Sequence, residues 1–215
     1  TAWCDFDPSP GDFIRIEGGR VLFWQGSPDL VVDQIEQVAD LSKPPWERID
    51  PDGHWVEENL TALVNGGSRR GIMTSGTIVA VRDDCGIIER CPECRRVLRE
   101  SSCSEHGAQR GQEDLRLRFV IDDGVSNASL LVSREPAEAF LSMGMDEVKQ
   151  EISKIGRGGF VSSLTNRVLA RKMTVQGHTR IDDYGAMVLA DSLDIDDEGP
   201  AEAAKAVMER WGVTI

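Results

Sequence analysis

The segment Asp114-Leu115-Arg116-Leu117-Arg118-Phe119-Val120-Ile121 carries the pattern that decides the fold of this chain. Apolar and polar residues alternate along it with a period of two, which is typical of a β-strand with one buried face. The face turned to the core carries Leu115, Leu117, Phe119 and Ile121. The turn Asp122-Asp123-Gly124 and the apolar segment 128–132 follow. We therefore predict a β-hairpin at the centre of the chain.

Four possible metal ligands precede this hairpin as two close pairs. Cys91 and Cys94 are separated by two residues, and so are Cys103 and His106. Two such pairs complete a tetrahedral shell of three sulfurs and one nitrogen, which leaves no open position for water or substrate. The spacing predicts one structural zinc ion. Two disulfides or unrelated thiols are the alternative, but short-range cysteine pairs in a soluble chain favour a metal.

The elements predicted around these ligands follow the order strand, strand, strand, helix, strand, strand. The β-branched segment 76–82 predicts the first strand, and helical spacing of apolar residues over 136–155 predicts the helix. We expect the closing strands at 160–164, 166–176 and 186–189. This order is that of the OB-fold, a five-stranded Greek-key barrel. The prediction is a mainly β chain whose barrel spans residues 71–198, with the zinc knuckle inserted at 91–106.

The segment before the barrel is predicted to contain strands and then a linker. Alternation over 11–17, a turn at Gly18-Gly19 and the run 20–24 predict a hairpin, and a second arm is expected over 30–38. Residues 1–42 therefore read as the closing strands of a β-domain.

Residues on either side of the barrel complete the predicted organisation. Residues 43–70 begin with Lys43-Pro44-Pro45-Trp46 and read as a linker with at most one short helix near 57–64. Residues 199–215 are predicted to form an amphipathic C-terminal helix.

Charge is unevenly distributed along the chain. The net charge is −13, and residues 1–60 hold thirteen acidic side chains and four basic ones. Residues 154–181 hold six basic side chains and no acidic one, which indicates a polyanionic partner. No run approaches the ~18 apolar residues of a membrane helix, and no secretion signal is recognisable. We therefore expect a cytoplasmic protein without a membrane partner.

The motifs together resemble a known family. An opening strand, the C-x2-C-x8-C-x2-H motif over 91–106, the strand 115–121, the turn Asp122-Asp123-Gly124 and a helix near Pro136 resemble the zinc-containing C-terminal OB domain of the replication protein A large subunit, in its archaeal form. The segments 168–177 and 184–189 resemble the closing strands of such barrels.

The N-terminal residues add to this resemblance. Thr1-Ala2-Trp3, Pro10-Gly11-Asp12 and the run 21–24 are similar to the end of the OB domain that precedes it in this family. The resemblance implies sequence-tolerant single-stranded DNA binding in replication, repair and recombination, in the nucleoid. It also implies partner subunits, held by the C-terminal helix.

Basic and aromatic residues on the predicted strands are the candidates for binding DNA. Arg116 and Arg118 share one strand face, and Arg167 and Arg171 are expected to alternate in the same way on a later strand. Solvated arginines are the alternative for each, and a core position is the alternative for each aromatic residue. The predicted DNA-binding set is Arg82, Arg116, Arg118, Arg167, Arg171, Lys172, Phe160 and Trp24.

The sequence carries no recognisable catalytic motif. His54 and His178 have no nucleophile at a recognisable spacing, so the sequence does not indicate an enzyme. The alternative is an assembly module that holds other replication protein A subunits or OB-fold proteins through the terminal helix, with weak DNA contact. The residues predicted to bind such a partner are Val207, Met208 and Trp211.

Overall fold

The structure is a computed structural model that describes residues 9, 12–24, 27–46, 55–182, 185–196, 204–205, 207–209 and 211–212; for Trp24, Ser27 and Asp182 it describes only the backbone. The strands are β1 Phe13–Ile16, β2 Arg20–Trp24, β3 Ser27–Val31, β4 Val38–Leu41, β5 Val56–Glu57, β6 Ile72–Val81, β7 Gly86–Arg90, β8 Ser102–Cys103, β9 Gly107–Ala108, β10 Gln112–Asp122, β11 Asn127–Val132, β12 Lys172–Asp182 and β13 Gly185–Ile195. The helices are α1 Leu60–Asn65, α2 Arg134–Leu141 and α3 Met145–Val168.

Five long strands close into a barrel. Along the sheet the order is β6-β12-β13-β11-β10, and β10 pairs again with β6 to complete the ring. The β11–β13 pair is parallel, and the other four pairs are antiparallel. With β6, β10, β11, β12 and β13 as the first to fifth barrel strands, this is the Greek-key order of the OB-fold. The predicted fold class is confirmed.

The predicted alternation of β10 determines which side chains fill the barrel. Leu115, Leu117, Phe119 and Ile121 are all fully buried. In the register with β11, Leu117 lies opposite Val132 and Phe119 opposite Leu130, so that the inward faces of both strands meet. Arg116 and Arg118 consequently point away from the core.

A bulge in β12 depends on a glycine. The register between β12 and β13 shifts between Gln176 and Gly177. A Cβ atom at position 177 would lie 2.1 Å from the carbonyl oxygen of Leu189. Only glycine lets the two backbones approach this closely, and the bulge bends the long strand so that it pairs with β6 along its first half.

The predicted strand at 160–164 is wrong, because residues 145–168 are helical. Phe160, Val161, Leu164 and Val168 are buried at the spacing of one helix face. Gly156 interrupts the helix with φ 74° and ψ 162°, and the helical backbone resumes after this kink. The sequence Gly156-Arg157-Gly158-Gly159 therefore marks a kink rather than the helix end that was expected. The next strand begins at Lys172, not within 166–168.

Part of the segment predicted as a linker packs against the barrel. β5 pairs with β6 in parallel, and the Asn59 side chain caps α1 by accepting a hydrogen bond of 2.8 Å from the Ala62 amide. Leu60 and Leu63 on α1 are fully buried in the main core. The expected short helix is present at residues 60–65, and it contributes to the core of the barrel.

The N-terminal strands pair differently from the prediction. β1 pairs with β4, with Phe13 opposite Leu41, whereas β2 pairs with β3, with Val21 opposite Leu30. The hairpin expected between segments 11–17 and 20–24 is therefore replaced by one between β2 and β3.

Helical residues 204–205 and 207–209 lie near the C-terminus, where a helix was predicted. Val207 and Trp211 are 58% and 80% exposed. Among the described residues, no helix is long and apolar enough to span a membrane.

Candidate metal centre and arginine groove

The four predicted ligands lie in a small ribbon between β7 and β10. The chain leaves β7 at Cys91, whose amide donates to the Arg96 carbonyl at 2.8 Å. Arg95 has a positive φ of 62°, and its amide donates back to the Cys91 carbonyl at 2.9 Å. This tight turn carries Cys94, and the β8–β9 hairpin carries Cys103 and brings His106 close to it.

The ligand atoms form a compact cluster with the dimensions of a tetrahedral metal site. His106 Nδ1 lies 3.6 Å from Cys91 Sγ and 3.7 Å from Cys103 Sγ, and Cys94 Sγ lies 3.5 Å from Cys103 Sγ. All four atoms are within 4.8 Å of one another. A tetrahedral zinc shell has edges of about 3.5–3.8 Å, as its metal–ligand bond lengths require. Because a disulfide requires a much shorter sulfur–sulfur distance, the disulfide alternative is wrong.

Neighbouring groups prepare the ligands to bind a cation. Backbone amides of Glu105 and His106 donate to Cys103 Sγ and lower the pKa of this thiol to about 6. The thiolate is the form that binds metal. His106 Nε2 lies 3.6 Å from a carboxylate oxygen of Glu93, which leaves Nδ1 facing the cluster. Cys91 and Cys103 are buried with Leu98 in a small core of their own.

A groove of about 550 Å³ lies between the ribbon, β7, β10 and α3. Four arginines converge on it from three parts of the chain: Arg99 from the ribbon, Arg116 and Arg118 from β10, and Arg157 from α3. The other lining residues are Ile87, Ile88, Val97, Leu98, Asp84, Glu89, Glu100 and Ser101. The groove is therefore basic and aliphatic, with three carboxylates among its walls.

Asp84 holds the two arginines of β10 side by side. Its Oδ2 accepts two hydrogen bonds, one of 2.6 Å from Arg116 Nη2 and one of 2.9 Å from Arg118 Nη1. Burial opposes ionisation of Asp84, but the Arg118 hydrogen bond and the charges of both arginines outweigh it and lower the pKa of this carboxyl. Within the described part of the chain, Arg116 Nε and Asp84 Oδ1 are buried without a hydrogen-bond partner. Burial of the Arg116 side chain, which is 14% exposed, lowers the pKa of its guanidinium.

Arg157 reaches the groove because of the kink in α3. It is the first residue after Gly156, and its Nη2 donates to the Ile87 carbonyl of β7. Neither Arg99 nor Arg157 was among the predicted DNA-binding residues. Arg157 belongs to the basic segment 154–181, which was the one sequence signal for it. No sequence signal pointed to Arg99, because it does not belong to an alternating strand pattern.

The predicted surface of four strand arginines does not form. Arg167 lies on α3 rather than on a strand, 5.7 Å from the centre of the Phe140 ring, and it donates to the Phe140 carbonyl at 3.1 Å. Arg171 donates to the Asp196 carbonyl at 3.3 Å, and Lys172 lies 3.4 Å from an Asp196 carboxylate oxygen. None of the three residues lines the groove. Arg167 lies on the helix, which extends to residue 168, and Arg171 and Lys172 contact Asp196.

The remaining predicted residues take different positions. Phe160 is 4% exposed and belongs to the core, so its ring is not available to stack on a base. Arg82 is exposed and its amide donates to the Arg118 carbonyl at 2.9 Å, beside the groove. The Trp24 side chain lies outside the described residues. Cys85 is buried, and its sulfur accepts a hydrogen bond of 3.1 Å from the Arg118 amide.

A closed barrel with this strand order and a Cys3His cluster in an inserted ribbon defines an OB-fold domain with a site that can hold a metal ion. No protein-family model matches the sequence, and no curated protein matches it.

Several solved structures are similar to this chain. One is a chain of a replication protein A heterotrimer bound to single-stranded DNA, with TM-score 0.47 and 12% identity over 74% of this chain and 40% of that chain. Others are yeast replication protein A bound to single-stranded DNA (TM-score 0.40, 15% identity, 66% and 85% of the two chains) and the second OB-fold domain of replication protein A from Methanococcus maripaludis (0.36, 10%, 67% and 98%). The chain thus spans 40% of the length of the first of these. The fold assignment rests on the strand pairing described above.

Proposed function

We propose that this chain binds single-stranded DNA through the arginine groove, as an OB-fold protein of the replication protein A type acting in replication, repair and recombination in the nucleoid. The observation that carries the proposal is the convergence of Arg99, Arg116, Arg118 and Arg157 in one groove beside an OB barrel. Guanidinium groups pair with phosphate oxygens through fixed, forked donors. Because the rest of the chain is acidic and repels a polyanion, attraction for single-stranded DNA is concentrated at this groove.

We also propose that the ribbon holds one zinc ion in a structural role. Three thiolates and one imidazole with tetrahedral spacing suit zinc, and they fill its shell. Val97 to Ser101, which follow the first ligand pair, form one wall of the groove. The metal therefore stabilises part of the proposed DNA-binding surface.

The double variant Arg116→Ala/Arg118→Ala tests the DNA proposal. Hydrogen bonds to charged groups contribute about 1.5–3 kcal/mol each, so we expect affinity for a labelled oligothymidine to fall by at least about tenfold. The slope of log K against log salt should also shrink by about 1.4, the value for two phosphates of a single strand. Fluorescence anisotropy over a salt series measures both quantities.

Arg167→Ala is the matched control, since it removes the same side chain at a position outside the groove. We expect it to leave both affinity and salt slope near those of the unmodified chain. Equal losses in the control and the double variant would contradict the assignment of binding to the groove. A thermal melt of each variant separates loss of binding from loss of fold.

A second proposed role is partner binding by the C-terminal helix through Val207, Met208 and Trp211. The observation that favours it is the exposure of Val207 and Trp211 near the C-terminus. The Trp211 amide donates to the Val207 carbonyl at 3.1 Å, so the two residues lie one helical turn apart, and neighbouring exposed apolar side chains are typical of surfaces that a partner covers.

Removal of residues 199–215 tests this role. We expect light scattering to give the full chain a mass above that of its 23.7 kDa monomer, and the shortened chain the mass of a monomer, because the apolar surface is lost. If the two proteins associate equally, the helix is not the contact. If both are monomers, the helix does not mediate self-association.

A further inference from the structure

The walls of the arginine groove contain charged, aliphatic and small polar side chains. Four of the lining residues are arginines and four are aliphatic, and no lining residue in the described part of the chain is aromatic. Proteins that hold unpaired bases usually stack them on aromatic rings. The described walls of this groove offer donors for phosphate and no ring for a base.

Most other aromatic side chains among the described residues pack in the core or against each other, and the exposed Phe23 and Trp211 are not among the lining residues. Phe119 and Phe160 are in the core, and Phe140 packs edge-on against Phe119 at 6.1 Å. Phe13 and Trp46 contact each other at 6.3 Å in the N-terminal segment. None of these rings lines the groove.

The β10 arginines are arranged for hydrogen bonding through their edges. Arg116 is 14% exposed, so little of its planar face is available to stack on a base. Asp84 accepts one N–H from Arg116 and one from Arg118, and each guanidinium carries five. Arg118, whose side chain is 31% exposed, keeps N–H groups that Asp84 does not engage. The groove thus retains donors for an added oxyanion.

We infer that the groove recognises the phosphodiester backbone of the single strand and not its bases. This inference rests on the proposed function and specifies its ligand: a chain of phosphates joined by sugars, with or without bases. Base identity then has no effect at this site. The aliphatic residues pack against sugar rings, while the arginines pair with successive phosphates.

Competition with two chemically opposite ligands tests the inference on the full chain. The bound probe is a labelled oligothymidine of about 20 nucleotides. One competitor is a chain of equally many abasic deoxyribose phosphates, and the other is a thymine peptide nucleic acid of the same length. The first ligand keeps every phosphate and lacks bases. The second keeps the bases on an uncharged backbone.

We expect the abasic chain to compete within about fivefold of unlabelled oligothymidine, because stacking of even one base is worth about fivefold or more. The peptide nucleic acid should not displace the label. Arg116→Ala/Arg118→Ala should weaken binding of the abasic chain as much as binding of oligothymidine.

Three results would overturn the inference: an abasic chain that competes more than fivefold worse, displacement by the peptide nucleic acid, or undiminished abasic binding by the double variant. If oligothymidine binds but the abasic chain does not compete, only the inference about backbone recognition is contradicted. Absence of oligothymidine binding removes the proposed function as well, so the two failures are distinct.

Discussion

Replacement of Cys103 by serine is expected to abolish metal binding and to unfold the ribbon while the barrel persists. Cys103 is 3% exposed, and its sulfur lies 3.5 Å from Cys94 Sγ and 3.7 Å from His106 Nδ1. Structural zinc in small domains contributes about 10–16 kcal/mol of apparent binding free energy, which is folding free energy for the segment it holds. The ribbon core of Cys91, Leu98 and Cys103 is too small to remain ordered without it.

Two measurements examine this result. Elemental analysis should find one zinc per chain in the unmodified protein and none in Cys103→Ser. Hydrogen exchange should show loss of amide protection over residues 91–108, with protection retained in β10, because the main core does not include the ribbon.

The control is Ser104→Ala, a substitution at the exposed neighbouring residue, which should keep the zinc and the protection. Full metal content in Cys103→Ser would show that this sulfur is not a ligand. An unchanged melting temperature after chelation of the unmodified protein would show that the metal is not structural. Since the ribbon supplies one wall of the groove, Cys103→Ser is also expected to bind oligothymidine more weakly.

Leu63→Ala is expected to lower the free energy of unfolding by about 2–5 kcal/mol, the usual cost of removing a buried leucine side chain. Leu63 lies on α1, is fully buried and packs in the same core as the barrel strands. If residues 60–65 were only a linker, the substitution would have almost no effect. Equilibrium urea unfolding measures the change as a lower midpoint with an unchanged slope.

Val79→Ala provides the comparison, since Val79 is 49% exposed on β6. Its replacement should cost less than about 1 kcal/mol, the range of strand propensity. If the Leu63→Ala protein were as stable as the Val79→Ala protein, α1 would not contribute to the barrel core.

The expected and observed helices show where sequence patterns were sufficient and where they failed. The apolar spacing over 136–155 predicted a helix, and α2 and α3 lie there. Residues 160–164 were misread because Gly158 and Gly159 interrupt the helical pattern, and Phe160 and Val161 favour a strand when they are considered locally. Burial of Phe160 and Leu164 against the barrel outweighs these local preferences and keeps the backbone helical.

The sequence by itself determined the features that depend on short spacing. The alternation of residues 114–121 defined the inward and outward faces of β10, and the two ligand pairs defined the Cys3His cluster. The order of the barrel elements also followed from the sequence, apart from the strand expected at 160–164. Each of these patterns repeats over a few residues, so local periodicity and turn chemistry are enough to reveal it.

Only the tertiary structure decided the shape of the arginine groove. Asp84 meets Arg116 and Arg118 across more than 30 positions of sequence, and Arg157 meets the Ile87 carbonyl across 70. Such contacts arise from barrel closure and from the kink at Gly156, and neither leaves a periodic signal. Arg167 and Arg157 look equivalent in the sequence, yet the packing of α3 places one over Phe140 and the other in the groove. The physical reason is that long-range packing, not local preference, determines which charged side chains share a surface.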